Sequence, residues 1–218
     1  MRPLLILGAG ATAVDILDIV AAINDRAPVY ECLGMLDDNP ARHGASNHGV
    51  PILGPLALAA DYSDALLVSA LGSPGNFWKR AGILAALDFP RDRYATLVHP
   101  ASTVSRFAAL GSGVVAYPNC SIMADAALGD HVIVLSQCAI NHECVIGDCA
   151  ILATGVSLAG RVRVGADCYL GTGCNVIQDA IIGDRCLIGM GSTVLRDVPE
   201  NSVMVGSPAR FLRHTVAP

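Results

Sequence analysis

A histidine followed directly by a glutamate is the pair of residues in this sequence that is best suited to chemistry. His142 and Glu143 lie in the segment 140–148. An imidazole titrates near neutral pH, so it can accept a proton from a group that is becoming a nucleophile. A neighbouring carboxylate can orient the ring and stabilise the imidazolium. Consecutive residues of a strand point to opposite sides, but this rule relaxes at a corner, where Glu143 can reach the ring.

A second set of residues is suited to binding a nucleotide. A glycine turn directly after the first predicted strand lets a phosphate approach the backbone at the start of a helix. Two aspartates end the second predicted strand, where an acid can bond ribose hydroxyls. A further glycine follows the third predicted strand. The candidate binding residues are Gly8, Gly10, Ala11, Thr12, Asp37, Asp38 and Gly72.

Seventeen consecutive blocks of six residues run from Val98 to Val194 without an insertion. The first position of every block but one is Val, Ile or Leu, and the fifth is small. A fixed period of six predicts a β-helix solenoid. Three blocks then close one triangular coil of eighteen residues, with the aliphatic position inside. Glycines eighteen apart are expected at tight corners whose backbone angles favour glycine; these are Gly111, Gly129, Gly147, Gly165 and Gly183, with Gly171 and Gly189 at another corner.

Residues 1–97 do not follow this period. Buried strands are predicted at 4–7, 30–36 and 65–70, and helices at 13–24 and 77–87. Strands that alternate with helices predict a small, parallel, Rossmann-like α/β sheet. Three strands correspond to half of a dinucleotide fold, which favours a single nucleotide as ligand. The predicted division is a nucleotide-sugar domain at 1–97, a β-helix at 98–200 and a closing tail at 201–218.

The composition excludes several classes of partner. The net charge of −5 argues against nucleic acid as the main partner, and the apolar runs are too short to span a bilayer. Six of the eight cysteines occupy the small fifth position, and no Cys-x-x-Cys pair exists, so we expect no metal site. Reduced thiols suit the cytoplasm, where we expect the protein.

These motifs resemble those of the hexapeptide-repeat sugar O/N-acetyltransferases of the sialic-acid and bacillosamine type. The resemblance covers the glycine-rich opening, the Leu36-Asp37-Asp38 strand end, the coils and the closing segment 198–210. One departure is Thr12, where relatives commonly have histidine. The resemblance implies an all-β, left-handed parallel β-helix behind a front domain that holds the nucleotide-sugar. It also implies that His142 is the catalytic base, that Glu143 is its supporting acid, and that coenzyme A binds between the prisms of a homotrimer.

For acetyl-CoA we expect contacts in the later coils and the closing segment. Gly160 lies one coil beyond His142, where the missing side chain leaves room for a thioester and the N–H can stabilise an oxyanion. A basic late solenoid suits the phosphates of coenzyme A; its arginines are Arg161, Arg163, Arg185, Arg196, Arg210 and Arg213. The candidate cofactor residues are Gly160, Thr172, Gly189, Met190 and Pro208.

The sequence therefore favours an acetyl-CoA-dependent N-acetyltransferase that acts on the amino group of a nucleotide-linked amino sugar. Three alternatives stay open at this point. One is a transferase acting on a sugar hydroxyl or an amino acid, although a nucleotide-type front domain argues against serine. Another is a metal enzyme of the carbonic-anhydrase kind, which needs three converging histidines where only His131 and His142 are plausible. The last is a non-catalytic scaffold that binds sugar nucleotides.

Overall fold

The N-terminal part of the chain forms a five-stranded sheet. In the computed structural model, which describes residues 1–215, the strands are β1 (Arg2–Leu7), β2 (Tyr30–Leu36), β3 (Ser46–Asn47), β4 (Val50–Gly54) and β5 (Leu66–Ser69). Their order in the sheet is β3-β4-β2-β1-β5. All pairs are parallel except β3 with β4. The carboxyl ends of β1, β2 and β5 therefore meet at one edge, which carries the glycine turn and the aspartates.

The expectation of three strands was wrong, because β3 and β4 were missed. Pro51 lies within β4, and proline in a short run argues against a strand unless it lies near an edge. Helix α1 (Ala11–Arg26) begins two residues before its predicted start. The second predicted helix is divided into a 3-10 turn, Phe77–Lys79, and helix α2 (Arg80–Leu87). Further 3-10 turns are Pro40–Arg42, Leu56–Asp61 and Arg91–Arg93.

The rest of the chain is a parallel β-helix with three flat faces, as the six-residue period predicts. Face 1 consists of Leu97–Val98, Val115–Ala116, Ile133–Val134, Ile151–Leu152, Tyr169–Leu170 and Leu187–Ile188. Face 2 consists of Thr103–Val104, Ser121–Ile122, Ala139–Ile140, Ser157–Leu158, Asn175–Val176 and Thr193–Val194. Face 3 consists of Ala109–Leu110, Ala127–Leu128, Val145–Ile146, Arg163–Val164 and Ile181–Ile182.

The strands stack in register at a spacing of eighteen residues. Ile122 pairs with Ile140 on face 2, and Ile146 pairs with Val164 on face 3. The first and fifth block positions form one continuous core, in which Ile140 and Cys144 are fully buried. Each buried Val, Leu or Ile side chain contributes roughly 1.5–3 kcal/mol by leaving water. The core is thus built by repetition, each coil burying the same positions as its neighbours.

The stacked glycines are present, but the reason given for them from the sequence was wrong. None of the seven has a positive φ. They are needed because a Cβ would collide with the next coil; at Gly147 it would lie 2.5 Å from the Ala166 nitrogen. The left-handed conformation instead belongs to the fourth block position, where every residue from Gly113 to Gly191 has a positive φ. His142 is followed by such a residue, Glu143.

The N-terminal part packs on face 1 of the solenoid. The outward side chains of that face are apolar, and they join the core formed by β1, α1 and the 3-10 turn Phe77–Lys79; they are Leu97, Val115, Ile133, Ile151, Tyr169 and Leu187. The N-terminal part thereby covers one face of the prism.

A β-hairpin closes the far end of the solenoid. The strand Ser202–Val205 extends face 1, and Arg210–His214 pairs with it in the antiparallel sense. The predicted tail of 201–218 includes three residues, 216–218, that lie outside the described part of the chain.

Candidate active site

His142 lies at the prism edge between face 2 and face 3. We call this edge the His142 corner; it consists of residues 105–108, 123–126, 141–144, 159–162, 177–180 and 195–198. The corner backbone is bonded to the coils on both sides. The Glu143 N–H donates to the Ala124 carbonyl at 3.0 Å, and the Arg161 N–H donates to the His142 carbonyl at 2.9 Å. The position of His142 is therefore fixed by the stacking of the coils.

His142 and Glu143 form the pair predicted from the sequence. The His142 Nδ1 atom lies 2.9 Å from Glu143 Oε2. The two side chains converge because Glu143 has a φ of 60°, which breaks the alternation of an extended strand. An ionised carboxylate only accepts hydrogen bonds, so Nδ1 is the donor and the neutral ring has its lone pair on Nε2. Both side chains are about half exposed. Nε2 is thus a proton acceptor at the surface.

Gly160 lies under the imidazole rather than beside an empty space. A Cβ on Gly160 would lie 2.6 Å from both Cε1 and Nε2 of His142. The expectation that the missing side chain leaves room for a thioester was therefore wrong, because the ring fills that room. The Gly160 N–H has no hydrogen-bond acceptor within residues 1–215, so it is available to an incoming oxygen.

The other candidate cofactor residues lie at different places on the solenoid. Thr172 and Met190 are stacked at the corner between face 1 and face 2, where the Gly191 N–H donates to the Thr172 carbonyl at 2.8 Å. Gly189 adjoins Met190, which is 77% exposed. Pro208 lines a cleft of about 320 Å³ near the closing hairpin, together with Arg196 and Arg210. Thr172, Gly189 and Met190 are therefore at a different corner from Gly160, whereas the cleft at Pro208 reaches the His142 corner at Arg196, two coils beyond Gly160.

Two of the predicted basic residues already have acidic partners. Arg161 is paired with Asp179, and Arg185 with Glu200. These two arginines therefore neutralise acidic side chains of the solenoid itself. The two ion pairs were not predicted from the sequence.

The glycine turn is joined to one of the two aspartates. Asp37 Oδ2 accepts a hydrogen bond from the Ala9 N–H at 3.1 Å. The same oxygen forms an ion pair with Arg42 Nη1 at 3.0 Å. Asp38 faces away from the turn, since its Oδ1 accepts from the Leu56 N–H at 2.9 Å. The structure therefore places Asp37 with the turn and separates Asp38 from it.

The remaining candidates near the turn contact the solenoid. Tyr117 Oη lies 3.5 Å from the carbonyl of Thr12, in the first turn of α1 that also contains Ala11. Gly72 has a φ of 115°, and a Cβ there would lie 2.8 Å from Cδ1 of Ile151. Gly72 thus allows the loop after β5 to approach face 1.

A cleft of about 240 Å³ lies between α1 and the solenoid, and it was not predicted from the sequence. Its lining consists of Asp15, Asp18, Ile19, His99, Tyr117, Pro118, Leu135, Ser136 and Thr154. Partial burial raises the pKa of the Asp15 carboxyl, and the nearby Asp18 adds to the effect. The α1 residues of this cleft are separated from its solenoid residues by long stretches of chain, from Ile19 to His99 at the least, so no motif connects them.

Within one chain, the predicted nucleotide site and the predicted base lie far apart. The N-terminal part covers face 1, whereas the His142 corner is the edge that joins the other two faces. The nucleotide-type turn and the base are therefore on opposite sides of the prism.

Two further structural findings bear on the open alternatives. Within residues 1–215, no group of three or more His, Cys, Asp or Glu side chains is arranged to hold a metal ion. His131 lies against Tyr94 at the corner between face 3 and face 1, so it does not converge with His142.

Among the helices described, none has the length and apolar character needed to cross a membrane.

Comparisons with known proteins agree with this architecture. Residues 161–196 match the family described as bacterial transferase hexapeptide (six repeats). The acetyltransferase domain of PglB from Neisseria gonorrhoeae has a TM-score of 0.84 and 28% identity, with coverage of 97% of this chain and 100% of that chain. The same domain in complex with acetyl coenzyme A is 29% identical, with the same TM-score and coverage of 97% and 99%.

A third similar structure is a histidine-to-alanine mutant of GDP-perosamine N-acetyltransferase from Caulobacter crescentus, in complex with CoA and GDP-perosamine. It has a TM-score of 0.85 and 27% identity, with coverage of 97% of each chain. No curated protein matches the sequence.

The protein is an acyltransferase, as predicted from the sequence, and it shares its fold and its repeat with acetyltransferases of the hexapeptide-repeat type. Over almost its whole length, the chain is similar to the acetyltransferase domain of PglB and to GDP-perosamine N-acetyltransferase. The family resemblance stated from the motifs is thereby confirmed.

Proposed function

We propose that this protein transfers an acetyl group from acetyl-CoA to the amino group of a nucleotide-linked amino-deoxy sugar. The observation that carries the proposal is the pairing of His142 with Glu143, which leaves Nε2 as a proton acceptor at the prism edge. The similar structures that hold acetyl coenzyme A, or CoA with GDP-perosamine, support this choice of co-substrate and substrate class.

In the proposed reaction the sugar amine attacks the thioester carbonyl directly. His142 Nε2 accepts a proton from the attacking nitrogen, and Glu143 stabilises the resulting imidazolium through Nδ1–H. The Gly160 N–H is suited to stabilise the oxyanion of the tetrahedral intermediate. Collapse of that intermediate breaks the C–S bond, and the CoA thiolate receives a proton. The products are the acetamido sugar and CoA.

The two substrates would use different parts of the chain. The turn at Gly8 and Gly10, with Asp37 bonded to it, is suited to the nucleotide. The later coils and the closing hairpin would hold acetyl-CoA. Binding energy from the nucleotide can position the amine, which is how remote parts of a substrate contribute to rate.

We further propose that the site is assembled between copies in a homotrimer. The nucleotide-type turn and His142 lie on opposite sides of one prism, so a neighbour must supply one of them. Exposed apolar side chains on face 3 and the His142 corner suit such a contact; they are Met123, Val145, Ile177, Ile181 and Leu195. Closed cyclic symmetry is the usual arrangement of identical subunits.

The eight free cysteines suit a reducing compartment, which supports a cytoplasmic location.

The decisive experiment measures thiol release from acetyl-CoA with a panel of nucleotide-linked amino sugars and their hydroxyl analogues. Turnover with an amino sugar is expected, and His142→Asn should lower it by roughly two to four orders of magnitude. Turnover only with hydroxyl analogues would favour an O-acetyltransferase. Binding of nucleotide-sugars without any thiol release would favour a scaffold.

A further inference from the structure

Three charged residues occupy the same corner position on successive coils beside the proposed base. They are Glu143, Arg161 and Asp179, and each has a left-handed backbone, with φ values of 60°, 62° and 65°. Neighbouring strands of a sheet lie about 4.8 Å apart, so residues stacked in this way have side chains within reach of one another. Arg161 therefore lies between two carboxylates, one on each side.

Arg161 is bonded to only one of these carboxylates. Its Nε lies 2.6 Å from Asp179 Oδ1, and its Nη2 lies 3.0 Å from Asp179 Oδ2. This two-point contact matches the fork of a guanidinium to a carboxylate. It holds the pKa of the Asp179 carboxyl below its ordinary value, since the hydrogen bonds from Arg161 favour the charged form. Glu143 is left to the imidazole of His142.

We propose that Asp179 is a positioning residue for the acetyl transfer: by holding Arg161, it keeps the guanidinium off Glu143 and leaves that carboxylate to orient His142. The inference rests on the proposed role of His142 as the base. It assigns Asp179 no contact with either substrate.

The competition follows from charge and geometry. Without Asp179, Glu143 is a carboxylate one coil away from Arg161, and the guanidinium gains by a two-point contact with it. The imidazole would then lose the acceptor for Nδ1–H and with it the defined tautomer. A cation beside the ring would also disfavour the imidazolium that forms during the reaction. Both effects slow proton transfer.

The expected effect is moderate, because the groups are in contact with water. The side chains of Arg161 and Asp179 are 45% and 55% exposed, and exposed ion pairs are weak. The other charged residues near this corner also belong to the solenoid: Asp125 and Asp197 at the ends of the same column, and Arg106 and Arg196 in the column of His142. None of these has a hydrogen-bond contact with the ring in the described structure.

The test compares Asp179→Asn, Arg161→Gln and the double variant. Asp179→Asn should lower kcat by roughly threefold to thirtyfold, with little change in KM for either substrate. It should also move the acidic limb of the pH profile of kcat to lower pH, because the freed cation opposes protonation of the base. Arg161→Gln should move the limb to higher pH. The double variant has no cation to capture Glu143, so kcat should return to within about threefold of the wild type.

Arg91→Gln serves as a matched control. It removes another ion pair of an exposed arginine, with Asp130 at a different corner of the solenoid, and it should leave kcat unchanged. A second readout does not depend on turnover: nitrogen NMR of the His142 ring should show loss of the defined Nδ1–H tautomer in Asp179→Asn and its return in the double variant.

An unchanged kcat and ring spectrum in Asp179→Asn would overturn the inference. A double variant as impaired as Asp179→Asn would also overturn it, because a merely structural ion pair is not restored by removing its second member. These outcomes are distinct from failure of the proposed function. If His142→Asn is inactive while Asp179→Asn is normal, only the positioning role is lost; if His142→Asn is active, the base assignment itself is wrong.

Discussion

The imidazole of His142 lies directly over Gly160 of the next coil, so close that a Cβ on Gly160 would approach Cε1 and Nε2 to 2.6 Å. Gly160 does not have a positive φ, so its backbone conformation does not demand glycine. Glycine is required because a Cβ would collide with the imidazole ring of His142. The glycine and the hydrogen bond to Glu143 together define where the proposed base lies.

Substitution of Gly160 by alanine should therefore displace the ring without disturbing the coil. The backbone accepts alanine, but the contact at Nε2 forces the imidazole to turn away from its position. We expect kcat to fall by at least about tenfold, since a misplaced base is inefficient, while the melting temperature changes little. Steady-state kinetics and thermal unfolding of the same preparation measure both quantities.

Gly82→Ala is the control for this variant. Gly82 lies in α2, and a Cβ there meets no atom within 4 Å. It should leave kcat unchanged. Normal kcat in Gly160→Ala would mean that the ring does not act from the position described here.

Much of the solenoid could be predicted because its signal is repeated. Each coil places an aliphatic residue in the same buried position, as Ile122, Ile140 and Leu158 show, and one misread block would not change the period. The strand Val50–Gly54 has no such support. It is short and contains Pro51, so only its pairing with β2 and β3 makes it a strand.

The site was predicted only where neighbours in sequence are neighbours in space. His142 and Glu143 are adjacent, and the left-handed corner brings their side chains together. Asp37 and Asp38 are also adjacent, yet one bonds the glycine turn and the other bonds Leu56. That division depends on where a 3-10 turn begins, 18 residues further along the chain, and no local sequence pattern predicts it.

The pH dependence of stability should contain a contribution from His131. Burial lowers the pKa of His131 to about 4, and the nearby Arg80 guanidinium adds to the effect. The unfolded chain takes up this proton near its ordinary value of 6.5 and the folded protein only near 4. Stability should therefore fall as the pH drops from about 6.5 to about 4, and this contribution should fall no further below that range.

His131→Asn isolates the contribution. Asparagine tolerates the φ of 58° at this position. The difference in the free energy of unfolding between the wild type and the variant, measured in urea, should shrink as the pH is lowered through this window. His48→Asn, at an exposed site with a φ of 49°, reports the effect of losing a surface imidazole. A difference that stays constant with pH would contradict the assignment.

A charge on face 3 should disrupt the proposed trimer. Ile181 is 49% exposed in the isolated chain, and burying an arginine without a partner is costly. We expect Ile181→Arg to shift the sedimentation coefficient toward that of a monomer and to lower activity in parallel. Ile83→Arg, on α2 with 38% exposure, should leave the assembly intact. An active trimer in Ile181→Arg would exclude face 3 from the interface.

The nucleotide and the acyl donor should respond to different substitutions. Asp37 bonds the Ala9 N–H of the glycine turn, so Asp37→Ala loosens the turn and removes a group suited to the ribose. Calorimetry should show nucleotide-sugar binding weakened by about tenfold or more, with acetyl-CoA binding within about twofold of the wild type. Asp38→Asn should have the smaller effect, since Asp38 bonds Leu56 instead. Loss of acetyl-CoA binding in Asp37→Ala would reverse the assignment.

Mixed trimers test whether the site is shared between subunits. The N-terminal part covers face 1 while His142 lies at the opposite edge, so the proposed site combines the turn of one copy with the base of another. His142→Asn and Asp37→Ala are each expected to be impaired alone. After the two are unfolded and refolded together in equal amounts, about a quarter of the sites should combine an intact turn with an intact base, given random assembly.

Activity of the mixture should accordingly approach about a quarter of the wild-type value. Mixing the two proteins without refolding measures any gain from subunit exchange alone, and refolding either variant alone controls for recovery. If a single chain held a whole site, every chain in the mixture would still carry one defect. Refolded mixtures that are no more active than the separate variants would therefore refute the shared site, even if sedimentation shows a trimer.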